Sequence, residues 1–285
     1  MMNASLTAEI SEGLETGQVI PYLGPAALEL GGGASVPVSP EALAERLTAK
    51  VAVPHKIRKN LTAAAQFIEN FKHRKTLVGL LAEAFQTGLE PDPLHRFLAG
   101  LPLPLIVEAW YDDAMAKALQ VRNDWGQVQG VSRAEHAGDW VHYFRADGSR
   151  ATEIDATEWA TVLYKPLGSI APARNFIVSD SDYVEVLTEI DIQIPIPEVV
   201  QQLRTGRRFL FLGCRFRNQL ERSFARQIMK RSSDRHWAVL DGELTRNEAR
   251  FLEEQNITRV DLPLSRLVEQ IFRHCSQQPR MIRQQ

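Results

Sequence analysis

Asp112 and Asp113 close a run that begins Pro104-Leu105-Ile106-Val107-Glu108-Ala109-Trp110-Tyr111 and continues into Ala114-Met115-Ala116-Lys117-Ala118-Leu119. An apolar stretch, a sharp polar loop and a second apolar-periodic stretch read as a buried strand at 105–109 leading into a helix with an acidic first turn. In an open α/β sheet that crossing is where ligands sit. Paired acids at such a place are candidate metal ligands or acid–base groups, but acids also favour the positive end of a helix, and that plainer role is expected first. His95, His136, His142 and His236 are candidate bases. None has a nucleophile at a recognised spacing, so each is expected to be a packing or surface histidine. Cys214 precedes Arg215 at a strand-to-helix turn, a setting that can lower a thiol pKa. With no partner base in view, a buried structural thiol is expected. Asp180 and Asp182 read as a helix-capping turn.

Glycine follows leucine at three apolar strand ends: Leu23-Gly24, Leu167-Gly168 and Leu212-Gly213. A glycine there lets backbone N–H groups approach a phosphate, and a following helix N-terminus adds a favourable dipole. Glycine also simply permits a tight turn. Three in this order point to a nucleotide-type fold.

The elements that must position these residues alternate along the chain. Strands are expected at 18–24, 105–109, 159–164, 176–178, 208–213, 237–240 and 259–261, although Pro21 suits a central strand badly. The segment 24–38, with Gly31-Gly32-Gly33 and two prolines, is expected to lack regular structure. Ser39 caps a helix with Pro40 at its first position and Glu41 in its first turn, carrying Leu43, Leu47 and Val51. Ile57, Leu61, Ala64, Ala65 and Ile68, then Leu77, Leu80, Leu81, Ala84 and Phe85, fall at helical spacing, and 93–98 forms a short helix. Between residues 124 and 158 two strands, 125–131 and 140–145, with turns at Ala137-Gly138-Asp139 and Asp147-Gly148, read as a β-rich insert or an exposed substrate-facing flap. Its Trp125, Trp140, Tyr143 and Phe144 suit an interaction surface or the packing of a small module. Further helices run through Leu187, from Pro195 and Pro197 to Gly206, and from Thr245 and Ser265. The polar tail after Cys275 is expected to fray. The expected fold is α/β: a Rossmann-like, mainly parallel sheet with helices on both faces and right-handed crossovers. A helical module at about 40–100 and the β-rich insert at about 124–158 complete one domain over 1–285.

Composition narrows the function. The 285 residues are 44% hydrophobic and 24% charged, ordinary for a globular protein, and a net charge of -2 provides no global field for nucleic acid or acidic lipid. Arg204, Arg207, Arg208, Arg215, Arg217, Arg222, Arg226, Lys230, Arg231 and Arg235 form a local basic excess, expected to be a solvated helix face balanced by acids elsewhere. Two cysteines, Cys214 and Cys275, exclude a four-cysteine zinc site within the chain and suit a reducing compartment. The first residues are polar and amphipathic (Ala8, Ile10, Leu14), and no window approaches the roughly 20 apolar residues of a membrane helix. A cytoplasmic protein is expected.

Taken together, Val19-Ile20-Pro21-Tyr22-Leu23-Gly24, His95-Arg96-Phe97-Leu98-Ala99-Gly100-Leu101 with 106–113, Lys165-Pro166-Leu167-Gly168-Ser169-Ile170 with 176–183, 209–218 and His236-Trp237-Ala238-Val239 resemble the sirtuin-like family that includes bacterial NAD-degrading defence proteins. The resemblance spans nearly the whole chain outside the β-rich insert. It implies a cradle for NAD or ADP-ribose at Gly24, Asp112, Gly168, Gly213 and Asn218, with no metal. The departures fall on the family's working positions. Its first loop, Gly-Ala-Gly-x-Ser, is here Gly24-Pro25-Ala26-Ala27-Leu28, and Pro25 removes a backbone donor. The family's catalytic Asn matches Trp110. Its Lys-x-His-Gly segment is Lys165-Pro166-Leu167-Gly168, so Leu167 stands where the family has a general base. Arg215 replaces a small Ser, and Asn218 an Asp. General acid–base groups supply about a hundred- to ten-thousand-fold in rate, so the resemblance implies a pseudoenzyme acting as a binding, sensing or assembly subunit, with a protein partner or self-association. Two other readings remain open. One is an active NAD hydrolase or deacylase with catalysis moved to His95, Asp112 or Tyr111. The other is a nucleic-acid-binding accessory protein using the arginine-rich stretch 204–235, a partner that the overall charge disfavours.

Overall fold

Alternate strand residues face opposite sides of one sheet, and that alternation organises the molecule. The computed structural model describes residues 4–31, 35–86, 89–132, 134–135, 138–192 and 196–277. The chain starts with α1 (Ala4–Glu15) and β1 (Val19–Leu23), followed by a 3-10 turn at Pro25–Gly31. Then come α2 (Pro40–Lys50), a short 3-10 turn at His55–Ile57, α3 (Leu61–Lys72), α4 (Arg74–Phe85) and α5 (Pro93–Ala99). β2 (Leu105–Glu108) leads to α6 (Ala114–Leu119), β3 (Trp125–Gly130), β4 (Val141–Arg145), β5 (Arg150–Ala151), α7 (Glu153–Ala156) and β6 (Thr161–Lys165). A small pair, β7 (Gly168–Ser169) and β8 (Asn175–Phe176), precedes α8 (Asp180–Ile192) and α9 (Glu198–Arg204). The chain continues through β9 (Arg208–Leu212), α10 (Gln219–Met229), β10 (His236–Val239), α11 (Arg246–Glu254), β11 (Ile257–Val260) and α12 (Leu264–Gln277).

The main sheet has nine strands in the order β11-β10-β9-β1-β2-β6-β3-β4-β5. From β11 to β3 every neighbouring pair is parallel; β4 and β5 add an antiparallel edge. Leu210 and Leu212 of β9 join Val19, Leu23, Ile106 and Leu163 under α1, α5, α6 and α12. Phe209 and Phe211 join Ile20, Tyr22, Val107 and Val162 under α2, α3, α4, α8, α9 and α10. A parallel sheet must be covered on both faces, and this one is. The stretch 40–100 therefore divides: α2, α3 and α4 pack on one face and α5 on the other.

Pro21 does lie in a central strand. The ladder from β1 to β2 begins only at Tyr22–Val107, one residue past the proline. The hairpin of β3 and β4 forms as the sequence implies, with Gln127 opposite Phe144. It is hydrogen-bonded into the main sheet, because β3 runs parallel to β6 from Trp125–Thr161 to Gln129–Lys165. The segment after Gly24 is a correction: instead of irregular loop, residues 25–31 form a 3-10 turn. The expected features at Gly32, Gly33, Ala137 and Pro195 and in the tail beyond Gln277 lie outside the described residues. Ser39 caps α2 as expected, its Oγ accepting the Ala42 N–H at 3.1 Å. Among the described residues no helix is long and apolar enough to cross a membrane.

β1 lies between β2 and β9, so the winding of the chain reverses there. The carboxyl ends of β1, β2, β6 and β9 thus collect Gly24, Trp110, Leu167 and Gly213 at the switch point of the sheet, the usual ligand position of an open α/β fold.

Candidate functional site

Past the end of β2 the Ala109 N–H donates to the Leu23 carbonyl at 2.8 Å, which fixes where the next side chain turns. That side chain, Trp110, is 3% exposed. Its indole Nε1–H donates to the Pro37 carbonyl at 2.9 Å; its ring packs edge-on against Phe85 at 5.8 Å and lies tilted against Tyr111 at 5.0 Å. A buried tryptophan needs a partner for its one polar group, and here the segment before α2 supplies it. Tyr111 is buried as well; its hydroxyl donates to the Ile177 carbonyl at 2.9 Å, and its ring meets Phe176 edge-on. Leu167 joins the same apolar cluster.

The glycine loops close on one another. The Gly24 N–H donates to the Leu212 carbonyl at 2.8 Å, Ala26 N–H to the Gly213 carbonyl at 3.1 Å, and Ala27 N–H to the Gly24 carbonyl at 3.1 Å. Pro25 has no N–H to offer. A Cβ on Gly24 would lie 2.5 Å from the Gly213 carbonyl, and a Cβ on Gly213 (φ +67°) would collide with the Ala27 backbone. Both positions demand glycine because two protein backbones touch there. Gly168 (φ +86°) is likewise pressed against the Asn175 carbonyl of β8. The structure thus brings Gly24 and Gly213 together, sets Gly168 in the β7–β8 pair, and puts Asn218 at the N-cap of α10. There Asn218 Oδ1 accepts the Glu221 N–H at 2.8 Å, and Glu221 Oε2 accepts the Asn218 N–H at 3.2 Å.

The remaining candidates are held by structural bonds. Cys214 Sγ donates to the Tyr22 carbonyl at 3.5 Å, and burial pushes the thiol far above its ordinary range. Arg215 points away from it to Glu248, at 2.8 and 3.1 Å, and to the carbonyls of Asp241 and Glu243. Burial alone would raise the Glu248 carboxyl; Arg215 and the N–H groups of Thr245 and Phe216 outweigh it and hold the pKa at about 2. Asp112 Oδ1 accepts the Ala114 N–H at 2.9 Å, the helix-starting role expected of it, while Asp113 pairs with Lys117 at 3.1 Å. Asp182 accepts from the N–H groups of Val178 and Ser179 and from Ser132 and Arg74. Asp180 is exposed.

His95 pairs with Asp92 at 2.9 Å, and His142 with Asp139 at 3.3 Å. His236 Nδ1 accepts the Phe209 N–H at 3.0 Å, and burial lowers its pKa to about 4. His136 lies outside the described residues. Among the described residues no group of three His, Cys, Asp or Glu side chains is placed to hold a metal.

Sequence reasoning missed one cluster. Glu108 and Lys165, both buried, pair at 2.6 Å, and the same ammonium donates to the Asp112 carbonyl at 2.7 Å. The signal was present: each charged residue ends an otherwise apolar strand, β2 or β6.

The basic stretch is largely committed to the protein itself. Arg204 donates to the carbonyls of Gln227 and Ile228 at the end of α10, Arg207 to those of Gly17 and Leu203, and Arg222 to those of Phe216 and Arg217. Arg208 and Arg235 share Glu9 and lie over the Trp237 ring. The hairpin aromatics pack inward: Trp125 and Phe144 are buried, and Trp140 and Tyr143 lean on the main core. Trp140, Tyr164, Ile177 and Phe224 bound an apolar cavity of about 20 Å³, room for a water at most. A larger open groove of about 500 Å³, at Asp234, Arg235, Leu252 and Thr258, flanks the opposite, amino-terminal ends of β10 and β11.

Comparison with known proteins adds one positive result. No match was found among curated proteins. Residues 104–260 match the family described as the SIR2-like domain. The matched span runs from β2 to β11 and includes both Trp110 and Leu167. It covers more than half of the chain, which therefore belongs to the SIR2-like domain family.

Proposed function

We propose that this SIR2-like protein does not cleave NAD and serves in the cytoplasm as a binding, sensing or assembly subunit, engaging a protein partner or a second copy of itself. One observation carries the reading: the indole of Trp110, at the position of the family's Asn, is buried and hydrogen-bonded to the Pro37 carbonyl at 2.9 Å. A side chain so anchored cannot order a water or a ribose hydroxyl. Leu167, at the position of the family's base, has no group to take a proton. The N–H groups of Gly24, Ala26 and Ala27, which a diphosphate would need, already bond protein carbonyls. These residues do not fit a dinucleotide held in the family's manner, and no catalytic step is derived through one.

The competing readings find less support. Catalysis moved to His95, Asp112 or Tyr111 would rely on side chains that are all buried; Asp112 and Tyr111 are hydrogen-bonded within the protein, and His95 faces Asp92. Nucleic-acid binding through 204–235 would rely on arginines that largely cap helices and pair with acids. An assay of nicotinamide release tests the proposal. Purified chain is expected to release none above the rate of buffer alone; sustained turnover by the wild-type chain, lost in His95→Ala or Asp112→Asn, would establish the hydrolase instead.

A further inference from the structure

Beneath the Trp110 loop, on the face covered by α5 and α6, five ionisable side chains lie almost wholly out of water: Asp92, His95, Glu108, Asp112 and Lys165. Fully ionised they would carry three negative charges against two positive ones, and a net charge in a low-dielectric interior is costly unless one group takes a proton. Two of the acids accept backbone N–H groups. Asp92 faces His95 at 2.9 Å and accepts the N–H groups of Leu94 and His95. Asp112 accepts the Ala114 N–H at the start of α6. Glu108 has Lys165, and Lys165 is shared: its ammonium lies 2.6 Å from Glu108 Oε2 and 2.7 Å from the Asp112 carbonyl. Ser169 donates to that same carbonyl at 3.2 Å.

We infer that Glu108, Lys165 and Asp112 form a proton-dependent catch on the loop that carries Trp110. With Glu108 ionised, the carboxylate competes with the Asp112 carbonyl for the ammonium. With Glu108 protonated the competition weakens, and the ammonium is drawn to the carbonyl that holds the loop. Burial, and next the charge of Asp112, push the Glu108 pKa up to about 7 against the opposing pull of Lys165 and His95. Burial alone would lower the His95 pKa; Asp92, and after it the charges of Glu108 and Asp112, raise it above its ordinary value. Other charged groups on the surrounding elements face elsewhere: Glu29 and Arg96 are exposed, and Asp113 pairs with Lys117. Beside Lys165 on β3 the buried Gln127 and Gln129 are neutral and bond the carbonyls of Ala171 and Ala173. The catch stands whether or not the chain cleaves NAD.

Glu108→Gln imitates the protonated carboxyl and supplies the test. A folded-state pKa raised above the unfolded value stabilises the fold at low pH, and that contribution is lost as pH rises through about 7. The difference in melting temperature, Glu108→Gln minus wild type, should therefore grow by roughly 5 °C between pH 5 and pH 8. In wild-type protein labelled with 13C-glutamate and 15N-tryptophan, the Glu108 carboxyl and the Trp110 indole N–H should titrate together with a midpoint near 7. Both signals can be read even if the variant does not fold. A Glu108 midpoint near 4.5, or a Trp110 resonance that ignores the Glu108 titration, would overturn the proposal, as would a melting difference independent of pH.

Discussion

Trp110 is a structural residue, buried and anchored by its indole N–H. Its indole packs beside Phe85 and Tyr111, and its single donor is satisfied by the Pro37 carbonyl. Trp110→Ala should therefore lower stability by about 3–5 kcal/mol in a urea titration; a loss below 1 kcal/mol would mean that the ring packs loosely or the site collapses without cost. His236 gives a second residue-scale prediction. Its pKa lies at about 4 when folded, below the ordinary value of 6.5, because burial disfavours the charged ring. The unfolded chain therefore takes up this proton first. The associated stability is complete above about pH 6.5 and is lost as pH falls through 4, about 3 kcal/mol in all. His236→Gln, which keeps an acceptor for the Phe209 N–H, should flatten that part of the pH–stability curve; an unchanged slope would assign it to other groups. Trp110 and Leu167 stood out in the sequence because each lies in a short segment that resembles a family motif. The Glu108–Lys165 pair did not, since it depends on β2 and β6 lying side by side although 57 residues separate the two side chains.

At the scale of elements, the turn between α3 and α4 stores backbone strain. His73 has φ 68° and ψ 153°, a region that glycine alone occupies easily. The next residue, Arg74, uses the turn to reach Asp182 of α8 at 2.8 Å, Glu135 beside the β3–β4 hairpin at 3.4 Å and the Phe176 carbonyl. The clamp holds the helices of one face against the small β7–β8 pair. His73→Gly should relieve the strain and stabilise the protein by about 1 kcal/mol while leaving the clamp intact; a lower melting temperature would show that the histidine contributes more than it costs. Strands such as β9 were readable because apolar residues serve both faces, and α2 because Ser39 and Pro40 mark its start. The 3-10 turn at Pro25–Gly31 was hidden by a composition rich in glycine and proline, and its shape comes from contacts with Gly213, just past the end of the distant strand β9. The union of β3 with β6 was equally hidden: local pattern pairs β3 with β4, whereas the parallel partner is set by the whole sheet.

For the whole molecule, the doubly wound sheet brings its strand ends to a switch point, and the Gly24, Ala26 and Ala27 N–H groups there bond protein carbonyls. Glycines that look like a phosphate signature serve as places where two backbones meet. The arginine-rich stretch, similarly, is spent on carbonyls and acids, so binding of a single-stranded oligonucleotide should be weak at physiological salt. A tight complex whose affinity falls steeply with salt would reverse that assignment. On the proposed function, the strand-end cleft has no room for a dinucleotide. Isothermal titration of the wild-type chain with NAD and with ADP-ribose tests it most directly: no binding heat at millimolar ligand is the predicted result, and a saturable micromolar isotherm for either ligand would contradict it.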